Sequence, residues 1–173
     1  MSATVYSPAG TLTAGNLRIG VVATPWTVNA TTGKLSGTAA AANGGTVIQC
    51  AIETFGSTTN VAYQSRRKLC DKETTEKVST RTRNIDSLTI TGDKTAETAL
   101  LAILTEDAKI GLIARPYGPH TADFAPADTP LWMFNATVAS VDPAPVSTAD
   151  GEEFAYVVSF TDVKRDLAGT LTA

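Results

Sequence analysis

The sequence predicts a mainly β protein: an antiparallel β-sandwich or partial barrel with one flanking amphipathic helix and an extended hairpin loop. Three observations carry this expectation. Threonine supplies about one in six of the 173 residues, and a β-branched side chain fits a pleated surface better than a helix. Several segments alternate apolar and polar residues with period two. Only one segment, residues 95–107, carries a helical period.

Residues 1–45 read as an N-terminal arm with a single strand, Leu17 to Ala23, because Ala30 to Gly45 has the Gly, Ala, Thr and Asn content of a loop. Thr46 to Phe55 then reads as a strand, with Ile48, Cys50 and Ile52 on one face and Gln49, Ala51 and Glu53 on the other. Residues 56–77 are polar and charged without a period, which predicts a long loop. Val78 to Thr91 reads as one long strand whose inner half places Leu88 and Ile90 on a buried face. Its outer half has little to bury. Loop and outer half together therefore predict either an extended hairpin made for a neighbour or a surface hairpin without a partner.

The helix follows, with Ala96, Ala99, Leu100, Ile103 and Leu104 at i, i+3, i+4, i+7 and i+8 and with Asp93 or Thr95 as its cap. Strands are expected at Ile110 to Arg115, Leu131 to Val141 and Glu152 to Val163, separated by Pro- and Gly-containing turns. The sandwich domain thus spans 46–163, and 164–173 reads as a C-terminal arm.

Charge and composition exclude several functions. A formal net charge of -3 lacks the basic footprint of a protein that grips nucleic acid through its phosphates. No apolar run approaches 18 residues and no basic region precedes an apolar one at the N-terminus, so a soluble protein made in the cytoplasm is expected. The single histidine, His120, sits in a Pro-Gly loop where a solvated side chain is the ordinary reading. Cys50, Cys70 and His120 have no metal-ligand spacing, and no phosphate loop or nucleophile elbow is present. The expectation is a protein without catalytic residues, metal or cofactor, and with Cys50 packed in a core. Whether Cys50 and Cys70 pair is open.

The order of elements, with the segments TVIQCAIETF, RTRNIDSLTITGD, AETALLAIL, IGLIARPYG, WMFNATVASVDP and GEEFAYVVSF, resembles the major tail protein of long non-contractile-tailed phages, the tail tube subunit. The resemblance covers residues 46–163 and extends to the tube proteins of contractile tails and type VI secretion. It implies subunits joined into hexameric rings that stack into a hollow tube conducting the genome into the host, with arms and the long loop making contacts between rings. The implied partners are further copies of the chain, the tape measure, terminator and distal tail proteins, and passing DNA that is not held. The implied location is the virion tail, assembled in the host cytoplasm.

Under that resemblance the small polar strand faces are expected to line the lumen: Gln49 and Glu53; Ser87, Thr89 and Thr91; Asn135 and Thr137; Glu153, Ser159 and Thr161. Arg66, Arg67, Lys68, Asp71, Arg81 and Arg83 are expected at contacts between subunits. An ordinary solvent face carries more Lys and Glu than these strands do. The rival readings are another small virion component (tail terminator, head-tail joining or capsid decoration protein) and a carbohydrate-binding β-sandwich using Trp26, Trp132 or Tyr117 as a platform.

Overall fold

A computed structural model describes residues 17–48, 51–52, 55–66, 75–92, 94–144 and 154–173. In chain order the strands are β1 (Arg18–Val22), β2 (Thr27–Val28), β3 (Leu35–Thr38), β4 (Thr46–Val47), β5 (Ser57–Arg66), β6 (Thr75–Ile85), β7 (Leu88–Gly92), β8 (Lys109–Arg115), β9 (Leu131–Pro143) and β10 (Phe154–Thr172). Two short helices interrupt them, α1 (Ala39–Asn43) before β4 and α2 (Lys94–Leu101) before β8. The fold is mainly β, as expected, but its sheets are not closed into a barrel.

The main sheet runs β2-β3-β10-β9-β8-β1-β4, with β7 paired to the first half of β10. Pairing is antiparallel except between β10 and β3, where Thr170, Leu171 and Thr172 lie beside Ser36, Gly37 and Thr38 in parallel. Both faces of this sheet are covered. On one face Ile19, Val21, Ile110, Leu112, Phe134, Ala136, Val138 and Val158 pack with Leu88 and Ile90 of β7 and with Leu100 and Leu104. On the other, Val22, Ile113, Leu131, Met133 and Leu171 pack with Trp26, Leu35, Ala42 and Phe124. Burial on both faces explains why β1 is buried at every position and reads as a continuous apolar run rather than an alternation.

Several expected boundaries are corrected. Residues 17–45 are no arm with one strand: β1 lies inside the sheet between β8 and β4, and the stretch read as a loop contains β3 and α1. Thr38 starts α1 by accepting the Ala41 N–H at 3.1 Å, a side-chain cap for an otherwise orphaned donor. The long strand expected over 78–91 is two strands, β6 and β7, which belong to different sheets and break at Asp86 and Ser87. The segment 164–173 is no arm, because it is the second half of the 19-residue β10 and buries Leu171. The strand expected over 46–55 is β4, with Ile52 in an isolated bridge to Ile90; Gln49, Cys50 and Glu53 lie outside the described residues.

Helix α2 is shorter than the 95–107 expected. Leu100 and Leu104 are buried as their period requires, whereas Ala99 is exposed. Thr95 lies inside the helix and is not its cap, while Asp93 lies outside the described residues. Past Leu101 the chain tightens: Leu100 O accepts from both Ile103 and Leu104. Asp107 then takes a positive φ of 64° and donates its N–H to Val138 O at 2.9 Å. That bond turns the chain into β8 two residues later.

Trp26 shows how the second face closes. Its indole N–H donates to Leu112 O at 2.9 Å, and its backbone N–H and C=O pair with the Asn135 amide at 2.7 and 2.8 Å. A Cβ at Gly37 would stand 2.5 Å from Trp26 Cε3, and one at Gly111 would stand 2.9 Å from its Nε1. Glycine at both positions leaves the ring its slot. Trp26 is thereby only 4% exposed and offers no stacking platform for a sugar.

Candidate assembly surface

The segment 57–85 stands apart from the main sheet as a two-stranded ladder. β5 and β6 pair antiparallel from Ser57–Ile85 at the root to Arg66–Thr75, with one extra residue, Ser79, between the Ala62–Thr80 and Tyr63–Val78 pairs. Residues 57–66, expected as part of a loop, therefore form a strand. The root is fixed in three ways. Ile85 is buried in the first core, Asp86 N–H donates to Gly56 O at 3.0 Å, and the Arg165 guanidinium donates to Ser57 Oγ at 2.9 Å and Thr59 Oγ1 at 2.8 Å.

Beyond the root, nearly every described side chain is exposed, on both faces of the ladder. One face carries Thr59–Arg83, Val61–Arg81, Tyr63–Val78 and Ser65–Glu76 in successive pairs. Arg81 and Arg83 are on the projecting part, and neither takes part in the ion pairs among the described residues. Their apparent shared parity with Ser87, Thr89 and Thr91 means nothing spatially, since the break at Asp86 and Ser87 separates the two sheets. Arg66 ends β5, whereas Arg67, Lys68, Asp71 and Cys70 lie outside the described residues.

The strand residues expected at a lumen occupy several settings. Thr89 and Thr91 alternate with buried Leu88 and Ile90 and stand opposite Val157 and Ala155 of β10. Thr161 and Thr137 are partners across β10 and β9, and Thr137 is in turn the partner of Lys109 on β8. That rung holds a cation the sequence reading missed, although its place just before buried Ile110 is an outward one. Ser159 Oγ accepts from Ser140 Oγ at 3.2 Å. Ser87 is exposed in the break after β6. Asn135 is committed to the Trp26 backbone. Glu153 lies outside the described residues, with Gln49 and Glu53.

Comparison with known proteins decides the family. The profile of the family described as "Phage tail tube protein" matches residues 6–165. The chain belongs to that family. It is a structural phage tail protein, and the family is not one of enzymes. Among solved structures, a chain of the cryo-EM structure of the anti-feeding prophage (AFP) baseplate, 6-fold symmetrised, is similar with a TM-score of 0.45 at 8% identity, covering 96% of this chain and 97% of that one. No curated protein matches the sequence. Membership implies a virion component that assembles with itself and with other tail or baseplate proteins.

This tail tube protein also carries a loop lock that the sequence reading missed. Arg18 and Arg115 are cross-strand partners on β1 and β8, both buried, and their guanidinium carbons lie 5.1 and 5.7 Å from the centroid of the Phe124 ring. Arg115 donates to Pro119 O, Ala122 O and Asp123 O and to the Asp128 carboxylate, while Arg18 donates to His120 O and the Asp123 carboxylate. Two like charges side by side repel. Here Arg115 meets three carbonyl dipoles and one carboxylate, and Arg18 one of each, which offsets the burial. Asn43 completes the lock, accepting the Phe124 N–H at 2.8 Å and donating to Phe124 O at 2.9 Å. The only sequence signal was a lone arginine at each strand end.

Proposed function

We propose that this tail tube protein is the repeating subunit of the tube itself. Copies join side by side into hexameric rings, rings stack, and the genome passes through the lumen to the host, with tape measure, terminator and distal tail proteins as further contacts. The hairpin carries this reading. Ladders of 10 and 11 residues reach roughly 30 Å from the root, and an isolated two-stranded ladder is marginal in water. One that projects with both faces exposed makes sense when neighbours cover it. Contacts through Arg81 and Arg83, and through Arg66, Arg67, Lys68 and Asp71, belong to that role.

The lumen in this reading is lined by the small polar side chains of Ser87, Thr89, Thr91, Thr137, Ser159 and Thr161, with Gln49, Glu53 and Glu153. Duplex DNA carries about one negative charge per 1.7 Å of axis, so a basic lining holds it by counterion release whereas hydroxyls do not. Lys109 and Lys164, exposed partners of Thr137 and Asn135, are exceptions on that face. Negative-stain microscopy of the purified protein over a concentration series tests the proposal. Long tubes of stacked rings are expected, and isolated closed rings or monomers at every concentration overturn it.

A further inference from the structure

Two features of the hairpin face have no role in the subunit as it stands. Tyr63 and Val78, cross-strand partners, are 62% and 44% exposed, the large apolar side chains that the ladder leaves in the open. At the root of the same hairpin lies a cleft of about 280 Å³ walled by Phe55, Trp132, Phe134 and Leu167, with Arg165 across it. Phe55 and Phe134 meet edge to face at 5.5 Å, and Leu167 is 46% exposed. This volume is at or below the small end of ordinary ligand pockets. It suits one or two side chains.

We propose that the Tyr63–Val78 pair of one copy seats in the Phe55–Trp132–Leu167 cleft of a second copy. The inference rests on the tube-subunit reading and names the surfaces that would join the copies. It cannot be an internal contact: Ser57 at the cleft and Tyr63 are six residues apart on one straight strand, roughly 20 Å at strand rise. A pair and a cleft that are different patches of one chain make a head-to-tail contact, which propagates instead of stopping at a dimer.

Charge order supports the same match. Moving outward along the hairpin face, the apolar pair is preceded by Arg81 and followed by Glu76. At the cleft, the Asp86 carboxylate lies against Gly56 on the inner side, and Arg165 sits outward, bonded to Ser57 and Thr59. With two hairpins running in the same direction, Arg81 meets Asp86 and Glu76 meets Arg165. The reverse direction sets like charges together, so the charges select one orientation.

The test uses the full chain with Cys50 and Cys70 replaced by serine, carrying Tyr63→Cys and Leu167→Cys together. After assembly and mild oxidation, a denaturing gel without reductant is expected to show a ladder of covalent dimers, trimers and longer chains. A disulfide needs its Cα atoms within about 7 Å, which excludes closure inside one hairpin. Each single variant is expected to give no ladder, and a mixture of the two singles only dimers. Tubes from the double variant without a ladder overturn the docking while leaving the tube subunit intact; failure of the unmodified protein to form tubes at all overturns the underlying reading instead.

Should the cysteine variants fail to assemble, the unmodified protein decides the matter. Of its two tryptophans, Trp26 is buried and Trp132 lines the cleft, so acrylamide quenching of the dispersed protein reports mainly on Trp132. Assembly is expected to abolish that accessible component, since a seated aromatic anchor excludes water from its pocket. Quenching that is unchanged on assembly refutes the contact.

Discussion

Asn135 and Asn43 use one device: each amide offers an acceptor and a donor to the backbone N–H and C=O of a single aromatic residue, Trp26 or Phe124, and so imitates the pairing of a missing strand. Because both bonds are partly buried, Asn135→Ala is expected to lower stability by about 1–3 kcal/mol. Asn135→Asp should cost at least as much, since it sets a carboxylate oxygen against Trp26 O. Thermal midpoints of the two variants check this, and unchanged midpoints would mean the amide does not hold Trp26. Arg115→Met removes the donor shared by three carbonyls and Asp128. A loss of about 3–5 kcal/mol is expected, the usual cost of breaking a buried charged network, together with new proteolytic cleavage between Pro116 and Pro130. Cleavage elsewhere with this loop intact would show that Phe124 and Asn43 suffice.

Among elements, the hairpin and α2 call for opposite outcomes. Joining Thr59 to Arg83 through an Asn-Gly turn deletes the projecting ladder but keeps the Arg165 anchors and buried Ile85. The product is expected to melt cooperatively near the parent midpoint and to form no tubes; loss of cooperative melting would show that the ladder belongs to the subunit core. Leu100→Ala or Leu104→Ala, in contrast, should cost about 2–5 kcal/mol through a cavity in the first core. A variant that keeps its midpoint but loses assembly would place that helix at an interface. The sequence showed the helix because Leu100 and Leu104 face one core with helical spacing. It hid β5, because a ladder exposed on both faces has no buried period to display. β6 and β7 looked like one strand because alternation continues across Asp86 and Ser87 while the sheets change. The second core was hidden for a related reason: Trp26, Leu35 and Leu171 are isolated apolar residues in polar segments, and only the parallel β3–β10 pairing brings two of them together. The outward polar rows of β7, β9 and β10 were legible, but which of them a neighbouring copy covers depends on surfaces that alternation does not encode.

For the whole particle, the lumen proposal predicts a salt-dependent defect. Thr89→Lys with Thr161→Lys changes two exposed positions, where single substitutions are usually worth within about 0.5 kcal/mol, so tubes are expected to form. Genome ejection should slow at low salt and recover as added salt screens the new contacts with DNA. Normal ejection at all ionic strengths would place these residues away from the channel. Finally, the parallel pairing of β3 with the end of β10 bears on when the subunit becomes competent. Thr172 reaches back to Gly37 across 135 positions of sequence, and contacts so distant slow folding. During synthesis β3 is on hand long before its partner strand leaves the ribosome, while the β5–β6 ladder, whose strands are near neighbours in sequence, has already emerged. The chain therefore presents its hairpin before it owns a finished sheet to carry it. Synthesis stalled just before Lys164 is expected to yield nascent chains that proteases cut within β3 yet that show a paired hairpin.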